Sequence, residues 1–147
     1  DMRLAVAAPA SEIRDGSLAA EARSVALLMA GAFYRQSGEI LRAREQLDQA
    51  AKSGSTEVGL IAEREMELLT IETEFQRRAI DHFKRSLEAG EVKGSPREPL
   101  CIYLLGELHR RLGDDVEARR WFDQADAHPA ARPELRERIE EQRKLLK

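Results

Sequence analysis

The sequence predicts an all-α domain of three helix pairs closed by a C-terminal capping helix, and three observations carry that prediction. Ala, Leu, Glu and Arg dominate while aromatics make up 5% of 147 residues, which favours helices and leaves a β-sandwich short of Val, Ile, Tyr and Phe. Two stretches share one spaced pattern of small, ring-bearing and apolar residues. A last segment opened by Pro133 puts Leu135, Ile139 and Leu146 on one side and charges elsewhere.

The opening Asp1-Met2-Arg3-Leu4-Ala5-Val6-Ala7-Ala8-Pro9-Ala10 is mildly signal-like, but its apolar stretch is short and ordinary helical sequence follows. Asp1 ahead of Met2 leads us to expect a fragment of a longer protein, and residues 3–14 are expected to flank the repeats as a helix in spite of Pro9. A first helix over about 18–37 carries Leu27-Leu28-Met29-Ala30-Gly31-Ala32-Phe33-Tyr34 and stops at Gly38, which takes the left-handed conformation without a Cβ penalty. A second, about 39–52, spaces Ala43, Leu47 and Ala50. A third and a fourth, about 56–72 and 74–89, are divided by Thr73-x-x-Gln76, read as a capping box. The fourth repeats the spaced set as Ala79, Phe83 and Ser86. Residues 90–95 form a linker, and Ser95-x-x-Glu98, with Pro96 at a favoured first position, opens a fifth helix over about 96–112. Gly113 ends it, and Asp114-x-x-Glu117 opens a sixth over about 115–127 with Ala118, Phe122 and Ala125. The capping helix covers about 132–146 and keeps the end of the stack soluble.

The pattern is an internal repeat. Gly31, Tyr34 and Gly38 keep the same spacing as Gly106, His109 and Gly113, and each set is followed by Ala-x3-apolar-x2-Ala. From Ala43 to Ala79 is 36 residues and from Ala79 to Ala118 is 39, close to the unit of about 34 residues of the tetratricopeptide repeat. Gly31 and Gly106, with the alanine anchors, remove side chains where the two helices of a pair approach, and Leu47, Phe83 and Phe122 are expected to fill the space between successive pairs. The middle repeat is weak in its first helix, with Glu63, Glu67 and Thr70 at the positions of large apolar, glycine and aromatic residues.

The chain therefore resembles the tetratricopeptide-repeat family over about residues 24–128, as repeats at about 24–55, 60–91 and 99–130 within one domain, 1–147. It also resembles, through Tyr103-Leu104-Leu105-Gly106-Glu107-Leu108-His109-Arg110-Arg111-Leu112-Gly113-Asp114, Trp121-Phe122 and Gln142-x2-Leu145, the helical C-terminal half of an uncharacterised bacterial family. In that family a cysteine-rich segment of zinc-binding type precedes the repeats; no such cluster occurs here, so either this is the helical half alone or the kinship is to repeats in general. The tetratricopeptide resemblance implies a right-handed α-α superhelix that binds a peptide or helix segment in a concave groove. Its lining would be Val25, Leu28, Ala32, Arg35 and Gln36 from the first repeat, Arg64, Leu68 and Glu72 from the second, and Tyr103, Glu107, Arg110 and Arg111 from the third. Some members clamp a partner's terminal carboxylate with Lys and Asn, but Leu28 and Ala32 stand at those positions here. The implied ligand has apolar anchors and an acidic end, met by Leu28 and Tyr103 and by Arg35, Arg64, Arg110 and Arg111.

Other chemistries find no constellation. Glu63 with Glu67, and Glu137 with Glu141, share helix faces, but acid–base work needs a cleft that drives the two pKa values apart, and a solvated surface is expected. His82, His109, His128 and Cys101 lack metal-ligand spacing, and Cys101 reads as a small buried hydrophobe. No cofactor loop and no catalytic set is present. Arg110-Arg111 and Arg119-Arg120 suggest nucleic acid, but Asp114, Asp115, Glu117 and Asp123 interleave with them, so that partner is disfavoured. A net charge of −3, one cysteine and no apolar run of about 20 residues lead us to expect a cytoplasmic, non-catalytic adaptor without a membrane partner. Its partner is a protein or peptide, with self-association through an exposed end as the alternative. Trp121 is expected in the core against Leu135 and Ile139.

Overall fold

The computed structural model describes residues 12–147, with side chains from Leu18 onward, and these residues form six helices and no strand. They are α1 (Glu12–Gln36), α2 (Ile40–Ser53), α3 (Thr56–Glu88), α4 (Arg97–Leu112), α5 (Asp115–Asp126) and α6 (Pro133–Arg143). The all-α expectation holds. The flanking helix expected at 3–14 and the signal-like opening lie outside the described residues, except that 12–14 belong to α1.

Glycine decides where α1, α3 and α4 stop. Gly38, Gly90 and Gly113 all have positive φ. Each sits in the same pair of backbone bonds: Gly38 N–H to Arg35 O and Glu39 N–H to Tyr34 O; Gly90 to Leu87 and Glu91 to Ser86; Gly113 to Arg110 and Asp114 to His109. This is the Schellman ending, which satisfies carbonyls that the last turn leaves open. Between Leu60 and Ala89 there is neither glycine nor proline. The two helices expected at 56–72 and 74–89 are accordingly one, the 33-residue α3, and the middle helix pair does not exist as a pair. A capping-box motif starts a helix only where the chain has first been stopped, and nothing stops it at Thr73.

The starts follow local rules more closely. Asp114 Oδ1 accepts the Glu117 N–H at 3.3 Å, as an N-cap does. At α4 the box is displaced by one residue: Glu98 accepts from the Gly94 N–H at 2.9 Å, and Ser95 Oγ accepts from the Arg97 N–H at 3.3 Å. Ser55 serves α3 in the same way, accepting from the Val58 N–H at 3.3 Å.

The chain forms two compact units that divide between Thr70 and Ile71, within α3. In the first, α1 packs on α2, with Ile40, Ala43, Leu47 and Ala50 buried on α2. A Cβ on Gly31 would fall 2.5 Å from Leu47 Cδ2, so the glycine is what lets α1 approach. Leu27 and Leu28 pack against Ala50, Val58 and Ala62. In the second unit α4 packs on α5 by the same device, with a Cβ on Gly106 falling 2.5 Å from Phe122 Cδ1. Leu47 and Phe122 thus fill the contact within their own pairs, and Phe122 also lies in the buried cluster that holds Ile139 of α6. Phe122, Ile102, Tyr103, Ala118, Ala125 and Ile139 form one buried cluster, with Leu87, Leu104, Trp121, Leu135 and Leu146 against it. Ile139 of the terminal helix is thus buried in this core.

Candidate functional site

The first unit offers an open apolar side. Glu21 accepts from Ser55 Oγ at 2.8 Å near one end of the α1–α3 contact, and Arg35 is ion-paired to Glu65 further along both helices, so α1 and α3 run in the same direction. At about 3.6 residues per turn, α1 gives Gly31 to α2 and Leu28 and Arg35 to α3. Val25, Met29 and Phe33 are left on the side away from α2. On α3, Val58, Ala62 and Glu65 turn to the neighbouring helices and Ile61 and Leu68 fall on that same open side. These side chains are far from buried: Met29 is 67%, Phe33 64%, Ile61 50%, Leu68 39% and Val25 38% exposed.

Of the expected groove residues in this unit, Val25 and Leu68 are exposed on the open side and Ala32 is half-buried beside them. Arg64 is exposed on α3. Leu28 is half-buried, packed against the Ala50, Val58 and Ala62 cluster. Arg35 is half-buried and tied to Glu65. Met29, Phe33 and Ile61, which the repeat alignment passed over, are more exposed than any apolar residue it chose.

In the second unit the expected residues are mostly interior. Tyr103, Glu107 and Arg110 are buried. Arg110 Nε donates to Glu107 Oε1 at 3.0 Å, and Arg111 lies 3.6 Å from the other oxygen of the same carboxylate. Tyr103, Glu107 and Arg111 do share a cavity of about 280 Å³ with Ala79, Phe83, Leu104, Leu108 and Arg138. Burial, then the Glu107 charge, raises the Tyr103 phenol above its usual pKa. That arrangement holds the core of the unit and leaves Tyr103 little surface to offer.

Glu63, Glu67, Glu137 and Glu141 are exposed. Cys101 is buried, its thiol raised in pKa by desolvation, with Sγ 3.8 Å from the Phe83 carbonyl. His128 Nε2 is 2.7 Å from Glu98 Oε1, and that bond, with the Gly94 N–H, holds Glu98 below its usual carboxylate range. His109 is buried with Nδ1 3.6 Å from Asp114. Among the described residues no group of His, Cys, Asp and Glu converges to hold a metal ion, and no helix is long and apolar enough to cross a membrane. The four arginines considered for nucleic acid do not form one free patch, since Arg110 and Arg111 turn to Glu107 and Arg120 to Glu117 and the Trp121 ring.

Residues 12–146 match the family described as uncharacterized protein conserved in bacteria (DUF2225). The chain belongs to this family. Tyr103 to Asp114, Trp121-Phe122 and the terminal Gln142-x2-Leu145 had pointed to an uncharacterised bacterial family, and the match covers all of them. No curated protein and no solved structure matches the chain.

One further site on this DUF2225 chain was missed. Arg97, Leu100, Arg132, Leu135 and Arg138 line a common cavity of about 620 Å³ with Ser95, Pro96 and Glu134. Its sequence signal is short: Arg-x2-Leu at 97–100 and Leu-x2-Arg at 135–138, spacings that keep each pair on one helix face, with Arg132 just ahead of α6.

Proposed function

We propose that the chain is a non-catalytic scaffold of tetratricopeptide-like helix pairs, cytoplasmic, that holds a segment of a partner protein against the open side of α1 and α3. The observation that supports this is the exposed set Val25, Met29, Phe33, Ile61 and Leu68 on one side of one unit. Water-exposed apolar side chains gathered on one face, and not scattered singly, mark interaction surfaces. The α1–α2 and α4–α5 pairs, each closed by a glycine on a buried Leu or Phe, support the repeat-like reading of the scaffold. A partner segment presenting apolar residues at helical spacing would cover the face, with Arg64 and Gln36 at its margin.

The test is affinity capture from bacterial lysate with the wild-type chain and with a Met29→Glu, Leu68→Glu variant, alongside sedimentation at several concentrations. A protein held by the wild type and lost by the variant is the expected result. Mass that grows with concentration and falls back in the variant would name a second copy as the occupant. Identical capture by both forms, with no change in mass, would sink the reading.

A further inference from the structure

The cavity between the first turn of α4 and the first turns of α6 lies wholly within the second unit and shares no residue with the α1–α3 face. Its lining brings together Arg97, Arg132 and Arg138 with a single carboxylate, Glu134, a local balance of three positive charges to one negative in a chain whose net charge is −3. Leu100 and Leu135 supply apolar surface beside them. All three arginines are exposed. The other arginines of α6 are held by the chain itself: Arg143 by Asp123, Asp126 and Glu140, and Arg136 by the His128 carbonyl. Arg97, Arg132 and Arg138 are in no ion pair among the described residues. Three exposed guanidiniums beside one carboxylate leave the cavity with a net positive local charge, which favours the entry of an anion.

We propose that this cavity docks an acidic peptide segment, with one apolar side chain of the segment against Leu100 and Leu135 and its flanking carboxylates on Arg97, Arg132 and Arg138. Guanidinium groups suit carboxylates because their planar N–H fork meets both oxygens at once. The apolar contact supplies an anchor and the charged rim supplies orientation and encounter rate. A small free anion is a poor fit, because the cavity is open and most of its lining is exposed, whereas small-ligand sites cover roughly 70–90% of the ligand. Single-stranded nucleic acid is also disfavoured: its binding grooves add aromatic side chains on which bases stack, and no lining residue here is aromatic.

The test is fluorescence anisotropy of the full chain with a labelled peptide Glu-Asp-Leu-Glu-Leu-Asp-Glu, its Gln/Asn and Lys counterparts, and a short single-stranded oligothymidylate. The acidic peptide is expected to bind saturably, about tenfold or more tighter than the Gln/Asn peptide, and to weaken as salt is added. An Arg97→Glu, Arg132→Glu variant should lose about tenfold or more for the acidic peptide and gain affinity for the Lys peptide; the gain also shows that the variant is folded. Arg138 is left in place because its charge also acts on buried Tyr103. Leu100→Gln should weaken the acidic peptide without changing its salt dependence. Equal binding of acidic and neutral peptides, unchanged binding by the charge-reversed variant, no binding at all, or preference for the oligonucleotide would each overturn the proposal. Because Met29 and Leu68 are untouched, capture through the α1–α3 face stands or falls independently.

Discussion

Gly106 and His109 stand one turn apart on α4 and show how much a single side chain decides. A methyl group on Gly106 would meet the ring of fully buried Phe122 at 2.5 Å, so Gly106→Ala must push the two helices apart or tilt the ring. The helix-propensity gain of about 1 kcal/mol offsets part of an overpacking cost of about 1–3 kcal/mol. A net loss of up to about 2 kcal/mol in urea unfolding is expected, relieved when Phe122→Leu is added. His109 is held below its usual pKa of 6.5 by burial, with Asp114 pulling the other way. The unfolded chain therefore binds this proton at higher pH than the folded one, so the stability it contributes is present above pH 6.5 and is lost as pH falls through the folded value. The urea midpoint should drop on acidification below pH 6.5, and His109→Phe should flatten that fall. A slope unchanged by the substitution would assign it to another group. Glu98, held low by His128 and the Gly94 N–H, adds a loss in the same direction below 4.5. His109 was legible as the residue standing where the repeat has a ring, but its burial was not, because it depends on what packs over it.

At the scale of elements, α3 tests what a cap motif is worth. If Thr73 capped a separate helix, Glu74 would occupy the first helical position, where proline is well tolerated. In the continuous α3, Glu74→Pro removes an internal hydrogen bond and clashes with the preceding turn, at a cost of about 3 kcal/mol. Circular dichroism and urea unfolding of that variant decide between the two. Helix existence, the Gly38 and Gly113 stops, the Asp114 cap and the α1–α2 and α4–α5 pairings were all readable, since each rests on residues within a turn or on a glycine facing a large apolar side chain. The missing break in α3 was readable too, from the absence of glycine and proline between Leu60 and Ala89, but repeat periodicity argued the other way.

At the scale of the whole molecule, burial and exposure follow the two units. Ile139 is fully buried among Tyr103, Phe122 and Ala125, so Ile139→Ala is expected to cost about 2–4 kcal/mol, by lost contact and by the cavity left behind. A change of less than about 0.5 kcal/mol, the range of surface substitutions, would mean that α6 does not cap this core. Met29→Glu with Phe33→Glu should fall within that surface range in unfolding experiments and yet abolish partner capture, a separation that a structural role for the two side chains would not produce.

Read alone, the residues specify that the chain is helical, that Gly38 and Gly113 end helices and Asp114 starts one, and which two pairs close on a glycine. All of these follow from short-range rules: periodicity, left-handed turns and the absence of a Cβ. Only the tertiary structure decided that Leu28 turns inward while Met29 and Phe33 stay out, that Tyr103, Glu107 and Arg110 belong to the interior, and that Arg97, Arg132 and Arg138 converge. Those outcomes depend on which helices lie against one another, and residues about 40 positions apart meet only when that packing has been chosen.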